Sequence, residues 1–138
     1  LLLDIYMEYG FSREKGISVV KKGKSGAEQI KSMMDNFRSK PVNELAGSPV
    51  ILVKDYMSLK AYKPESGESF DLKMPETSNV LQYFSLDGSK VSIRPSGTEP
   101  KIKFYIEVRD VLKSHSEYPA KCKLAEEKFK KIMKSLGL

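Results

Sequence analysis

The sequence predicts an α+β domain: a mainly antiparallel sheet of four to five strands with two helices packed on one face. Three observations carry that expectation. Helical periodicity recurs in two long stretches, near residues 26–38 and 117–136. Period-two alternation of apolar and polar residues marks strands between them, most cleanly at 90–94 and 101–108. The order is then strand, helix, three or four strands, helix, so helices interrupt the strands too seldom for a parallel sheet. A chain of 138 residues is long enough for one domain with a real core.

Residues 1–9 read as the last turns of a helix that stops at Gly10. Residues 16–22 read as a strand. A helix is expected over about 26–38, with Ala27, Ile30, Met34 and Phe37 on one face. Ser25 and Glu28 stand at capping-box spacing at its start, and Pro41 ends it. Val50 to Tyr56 is a dense apolar run, expected to be a strand buried on both faces. Residues 57–78 carry Pro64, Gly67, Pro75 and many polar side chains, and are expected to form a long loop. Residues 79–86 and 90–94 read as strands around Asp87-Gly88, a strong hairpin signal. Residues 101–108 make the last strand. The closing helix spans roughly 117–136, with Cys122, Ala125, Phe129, Ile132, Met133 and Leu136 as its apolar stripe and Gly137 past its end.

Composition narrows the function classes. The net charge of +6 suits anionic ligands, but acids are interspersed with the bases, so charge alone does not point to nucleic acid. The single cysteine, Cys122, excludes an internal disulfide and fits a reducing compartment, the cytoplasm. Leu1-Leu2-Leu3 is too short to be a signal peptide or a membrane span, so no membrane partner is expected. A chain that opens on leucine is expected to be a fragment of a longer protein. Gly23-Lys24-Ser25 lies between a strand and a helix, where a P-loop would, but Ser18 stands where that motif needs its first glycine. His115 has no cluster of cysteines or carboxylates at ligand spacing, and Asp4, Asp55, Asp71 and Asp87 are scattered, so no metal site is expected. Tyr83, Phe104 and Tyr105 could form a base-stacking platform, but sheet core is the commoner reason for strand aromatics.

The chemistry concentrates in Arg94-Pro95-Ser96-Gly97-Thr98-Glu99-Pro100-Lys101-Ile102-Lys103. Arg94 offers a planar, permanently charged fork that matches phosphate oxygens. Ser96 and Thr98 add hydroxyl donors. Gly97 lets the backbone approach an anion closely. Pro95 and Pro100 stiffen the ends, which lowers the entropy lost on binding. Alternation on both sides puts Arg94 and Lys103 on the face opposite the apolar residues. If the strands pair, the two cations converge at the loop.

That run, continued through Lys-Ile-Lys-Phe-Tyr-Ile-Glu to Glu107, resembles the C-terminal signature of the α-D-phosphohexomutases, the phosphoglucomutase and phosphomannomutase family. Looser likeness reaches back to Leu3–Phe11 and Ile17–Arg38. The resemblance implies that residues 1–14 are the tail of a third domain and 15–138 a fourth, C-terminal domain. It implies an isomerase that moves a phosphoryl group between the 1- and 6-positions of glucose or mannose phosphate. A phosphoserine and Mg2+ would assist, both supplied by preceding domains of the same chain. No stretch here resembles the phosphoserine loop, the aspartate-rich metal loop or the sugar-reading loop, so no catalytic residue is expected in this fragment. Carried over by motif, Arg94, Ser96, Gly97 and Thr98 would hold the phosphate that is not being transferred. Lys103 stands where some relatives have arginine. Glu99 would order the loop, since a carboxylate beside phosphate repels it. The competing class is a basic nucleic-acid-binding or protein-interaction module. Nucleic acid would reveal itself by steep salt dependence, a single phosphate contact by a shallow one.

Overall fold

The computed structural model describes residues 2–138. The chain runs through helix α1 (Leu2–Tyr9), strand β1 (Phe11–Val20), helix α2 (Gly26–Ser39) and strands β2 (Glu44–Leu45) and β3 (Ser48–Asp55). Strands β4 (Lys60–Tyr62), β5 (Ser69–Asp71), β6 (Leu81–Ser85), β7 (Lys90–Pro95) and β8 (Lys101–Asp110) follow. A short 3-10 turn (His115–Glu117) leads into helix α3 (Tyr118–Ser135). The first residue of the expected 1–9 helix lies outside the described residues.

The strands lie in the order β1-β8-β7-β6-β3-β4-β5, every neighbouring pair antiparallel, with β2 paired to β3 off this path. The α+β class and its antiparallel sheet are therefore as the sequence predicts. The strand count is higher, eight instead of four to five among the described residues. The extra strands are short, and their reasons differ. Residues 57–78 are not one long loop: they include β4 and β5, whose backbones pair Lys60 to Asp71 and Tyr62 to Ser69. All of β5 is exposed, so its sequence carries no burial pattern to read.

One face of the sheet makes the core. Val91, Ile93, Ile102, Phe104 and Ile106 are fully buried there, beneath Ile30 and Met34 of α2 and Phe129 and Ile132 of α3. Phe37 meets Phe104 edge to face, centroids 5.8 Å apart. The buried Tyr83 hydroxyl donates to the Phe37 carbonyl at 2.6 Å, and burial pushes its pKa up, so it stays a donor. The other face carries Gln82, Ser92, Arg94, Lys103, Tyr105 and Glu107 and is bare.

Three local expectations need correction. β3 is not buried on both faces: Ile51 is 38% exposed, because a bulge between Val50 and Leu52 turns it outward. The capping box does not form. Ser25 has φ −92° and ψ 6°, not the extended cap conformation, and its hydroxyl accepts from Gln29 Nε2 at 3.0 Å. The first strand begins at Phe11, five residues early, since an edge strand against β8 tolerates the polar half Ser12–Lys15.

Asp87, in the β6–β7 turn, fastens that turn to α3. Burial opposes its ionisation, but the Lys128 ammonium, the Ser85 hydroxyl and the Ser89 N–H outweigh it and hold its pKa well below the usual carboxylate range. A lowered folded-state pKa stabilises above the unfolded value near 3.9, and that stability is lost as pH falls through and below it. Asp87→Asn is expected to cost about 1–2 kcal/mol at neutral pH. Thermal melts should show the gap to wild type shrinking between about pH 5 and pH 2. A gap that stays constant with pH would mean the charge of Asp87 contributes nothing.

Candidate functional site

The β7–β8 register sets Arg94 opposite Lys103 and Pro95 opposite Ile102. Antiparallel partners stand about 5 Å apart at Cα. Both cations project from the bare face, because Ile93, Ile102 and Phe104 are buried on the other. Arg94 is exposed and Lys103 half-buried. Among the described residues neither makes an ion pair.

Residues 96–100 close the corner with their own backbone. Ser96 N–H donates to the Lys101 carbonyl and Lys101 N–H to the Glu99 carbonyl, each at 2.8 Å. Thr98 N–H reaches the Ser96 hydroxyl oxygen at 3.4 Å, which leaves the hydroxyl proton to donate elsewhere. The Glu99 carboxylate lies 3.5 Å from Lys101 Nζ. Gly97 has no left-handed φ, and a Cβ there would meet nothing within 4 Å. Its backbone would fit other residues, so what glycine adds is open approach to the loop.

Sequence reading missed the second wall of this corner. Lys21 N–H donates to the Pro100 carbonyl at 2.9 Å. A Cβ on Gly26 would lie 2.3 Å from the Lys21 carbonyl oxygen of its own connection and 3.0 Å from Pro100 Cβ across the corner, so glycine lets the β1–α2 connection fold tightly against the 96–100 loop. The stretch Lys21-Lys22-Gly23-Lys24 thereby runs beside the 96–100 loop and adds positive charge to it. The available signal was the same Gly23-Lys24-Ser25 run set aside as a broken P-loop. It holds no phosphate-cradling glycine pattern, but it is a neighbour of the loop that could.

Behind the loop, a cleft of about 260 Å3 is lined by Ser96, Pro95, Lys31, Met57, Asn79 and Arg38. Arg38 is fixed there: its Nε donates to both oxygens of Asp55 at 3.1 and 3.2 Å, and its Nη2 donates to Asn79 Oδ1 at 2.6 Å. This clamp seats the C-terminal end of α2 against β3. His115 lies elsewhere, 2.8 Å from Asp4 of α1. Among the described residues no three His, Cys, Asp or Glu side chains cluster so as to hold a metal ion. No described helix is long and apolar enough to cross a membrane. The corner can therefore attract and hold an anion through a fork, an ammonium, hydroxyls and backbone.

The family profile of the phosphoglucomutase/phosphomannomutase C-terminal domain matches residues 42–114. The chain is 38% identical to a phosphoglucomutase of Staphylococcus haemolyticus over 105 residues, 76% of this chain and 19% of that protein. It is 33% identical to one of Staphylococcus saprophyticus over 110 residues, 78% of this chain and 20% of that protein. It thus spans about a fifth of the length of the curated relatives it matches. A solved structure of the phosphoglucomutase-related phosphoprotein parafusin from Paramecium, in its open form, covers 98% of this chain and 23% of its own. At 15% identity and a TM-score of 0.39 that likeness is too loose to bear on the fold.

Proposed function

The chain belongs to the phosphoglucomutase/phosphomannomutase family, and from that premise we propose that it is the phosphate-gripping C-terminal domain of a phosphohexomutase. In this reading Arg94, Ser96, Gly97, Thr98 and Lys103 hold the phosphate that stays in place while the other end of a glucose or mannose phosphate reacts. In this reading the tail of the preceding domain ends before β1, whose Phe11 is buried in this domain's core and whose first half pairs with β8, and the enzyme works in the cytoplasm. The observation that supports it best is the corner itself: Arg94 and Lys103 side by side, without ion-pair partners among the described residues, at a loop braced by its own backbone.

Mg2+ and a phosphoserine belong to the family's chemistry, supporting the charge and supplying the phosphoryl group. The side chains described here do not fit the metal, as no carboxylate cluster exists to bind it. In this reading both groups come from the preceding domains of the same chain. What this domain supplies is remote binding energy. Phosphoryl transfer rests on positioning and charge stabilisation, and a grip on the distant phosphate orients the reacting end. Closing this domain over the cleft would also exclude water.

An amide NMR titration with glucose 1-phosphate, glucose 6-phosphate and inorganic phosphate tests the grip. Saturable shifts confined to residues 94–103 and the neighbouring Lys21–Lys24 stretch are expected, alike for both sugar phosphates. Lys103→Ala should weaken them about threefold to tenfold, since a half-exposed point charge contributes less than a fork. Shifts that spread over the whole bare face and vanish steeply with salt would instead favour a polyanion such as RNA.

A further inference from the structure

The bare face of the sheet holds a hollow of about 420 Å3, one strand row away from Arg94 and Lys103. Its cause is a glycine. Gly16 sits in the middle of β1, where glycine costs roughly 0.5–1 kcal/mol against alanine. Its φ is not left-handed, so the backbone does not require glycine there. Nor do sterics: a Cβ would meet only the Tyr105 ring, at 3.8 Å, an ordinary contact. What the missing side chain does is leave the flank of Tyr105 uncovered, 46% exposed, in register on the neighbouring strand. A strand-interior glycine without a backbone reason marks a close approach by something else.

The rim tells what would approach. Tyr56 donates to Gln82 Oε1 at 2.8 Å, and Gln82 Nε2 donates to the Ser92 hydroxyl at 3.0 Å, leaving the Ser92 proton for a ligand. In the next row Glu14, Glu107 and Lys90 lie side by side across three strands. Arg109 steadies Glu107 through Oε1 alone, at 3.1 Å, so Oε2 remains an acceptor. An aromatic flank edged by two carboxylates, a hydroxyl and an ammonium suits a ligand with an apolar C–H face and a ring of hydroxyls. A nucleobase on a strand would come with phosphates, which the two glutamates repel.

We propose that this hollow binds a neutral hexopyranosyl unit, stacked on Tyr105 with its hydroxyls donating to Glu14 and Glu107. It is a site separate from the anion corner and does not require phosphate.

Saturation-transfer difference NMR with methyl α-D-glucopyranoside and with maltose tests it. Transfer to the pyranose ring protons is expected in the wild-type protein, lost in Gly16→Val and in Tyr105→Ser, and retained in Arg94→Ala. Valine favours a strand, so Gly16→Val should melt no lower than wild type while its side chain fills the hollow. Should that variant fail to fold, the exposed Tyr105→Ser decides alone. No transfer from either neutral sugar would overturn the proposal, and so would transfer that survives both hollow variants. Transfer seen only from hexose phosphates and lost in Arg94→Ala would also overturn it, while leaving the phosphate grip intact.

Discussion

Replacing Arg94 by alanine in the full-length protein is expected to lower kcat/KM roughly ten- to hundredfold. That corresponds to about 1.5–3 kcal/mol for losing a charged hydrogen-bond partner. Both kcat and KM should respond, because energy from a remote phosphate is spent on orienting the reacting end as well as on binding. Arg94→Lys should fall between the two: it keeps the charge but loses the bidentate fork. Arg94 is exposed and makes no ion pair among the described residues, so the melting profile should barely move, within about 0.5 kcal/mol. Steady-state kinetics on the three proteins decide the matter. Unchanged kinetics in Arg94→Ala would remove the phosphate-grip role from this loop.

The second large effect is expected at Gly26. At the start of a helix, alanine normally helps, by up to about 1 kcal/mol over glycine. Here it should hurt, by about 1–3 kcal/mol, because its Cβ would collide with backbone that cannot rotate away. The severe collision is with the Lys21 carbonyl oxygen of the same β1–α2 connection, so that connection must rearrange, and with it the Lys21 N–H bond to Pro100 that joins the two loops. Gly26→Ala should therefore lose phosphate affinity along with stability. Gly97→Ala is the contrast: a glycine in the loop itself whose added methyl touches nothing, and which should leave stability near wild type. Chemical denaturation of both variants, with phosphate titrations beside it, separates them. Wild-type stability in Gly26→Ala would mean that the β1–α2 connection is not folded tightly on Gly26.

The sequence made the core legible where one physical pattern dominated. Ile102, Phe104, Ile106 and Val108 alternate with polar neighbours because one face of β8 meets helices and the other does not. Asp87-Gly88 fixed a hairpin, and Gly10, with φ +98°, stopped a helix where its residue type alone suggested. Legibility failed where pairing is made by backbone with no side-chain burial. Ser69–Asp71 joins the sheet with every residue exposed, and Ser12–Lys15 is strand because β8 offers it hydrogen bonds. At the corner between β7 and β8, the pairing of Arg94 with Lys103 was legible, because both lie in one contiguous stretch. The Lys21–Lys24 wall was not. Nothing local to Lys21 or Gly26 announces that Pro100 lies against them; that contact exists only once β1 and β8 are paired.

The β1–β8 pairing has a kinetic side. Phe11 lies against Asp110 and Val20 against Lys101, roughly ninety residues apart along the chain, so the loop-closure entropy of this ladder is among the largest in the fold. The β6–β7 and β7–β8 hairpins close short loops and can form before it. The anion corner would then be assembled in two instalments, its Arg94–Lys103 half early and its Lys21–Lys24 wall at the end. A ligand that needs both halves has little to hold in the transition state. Phosphate should accordingly slow unfolding while leaving the folding rate almost unchanged, so that a bound phosphate acts as a brake on the opening of the domain.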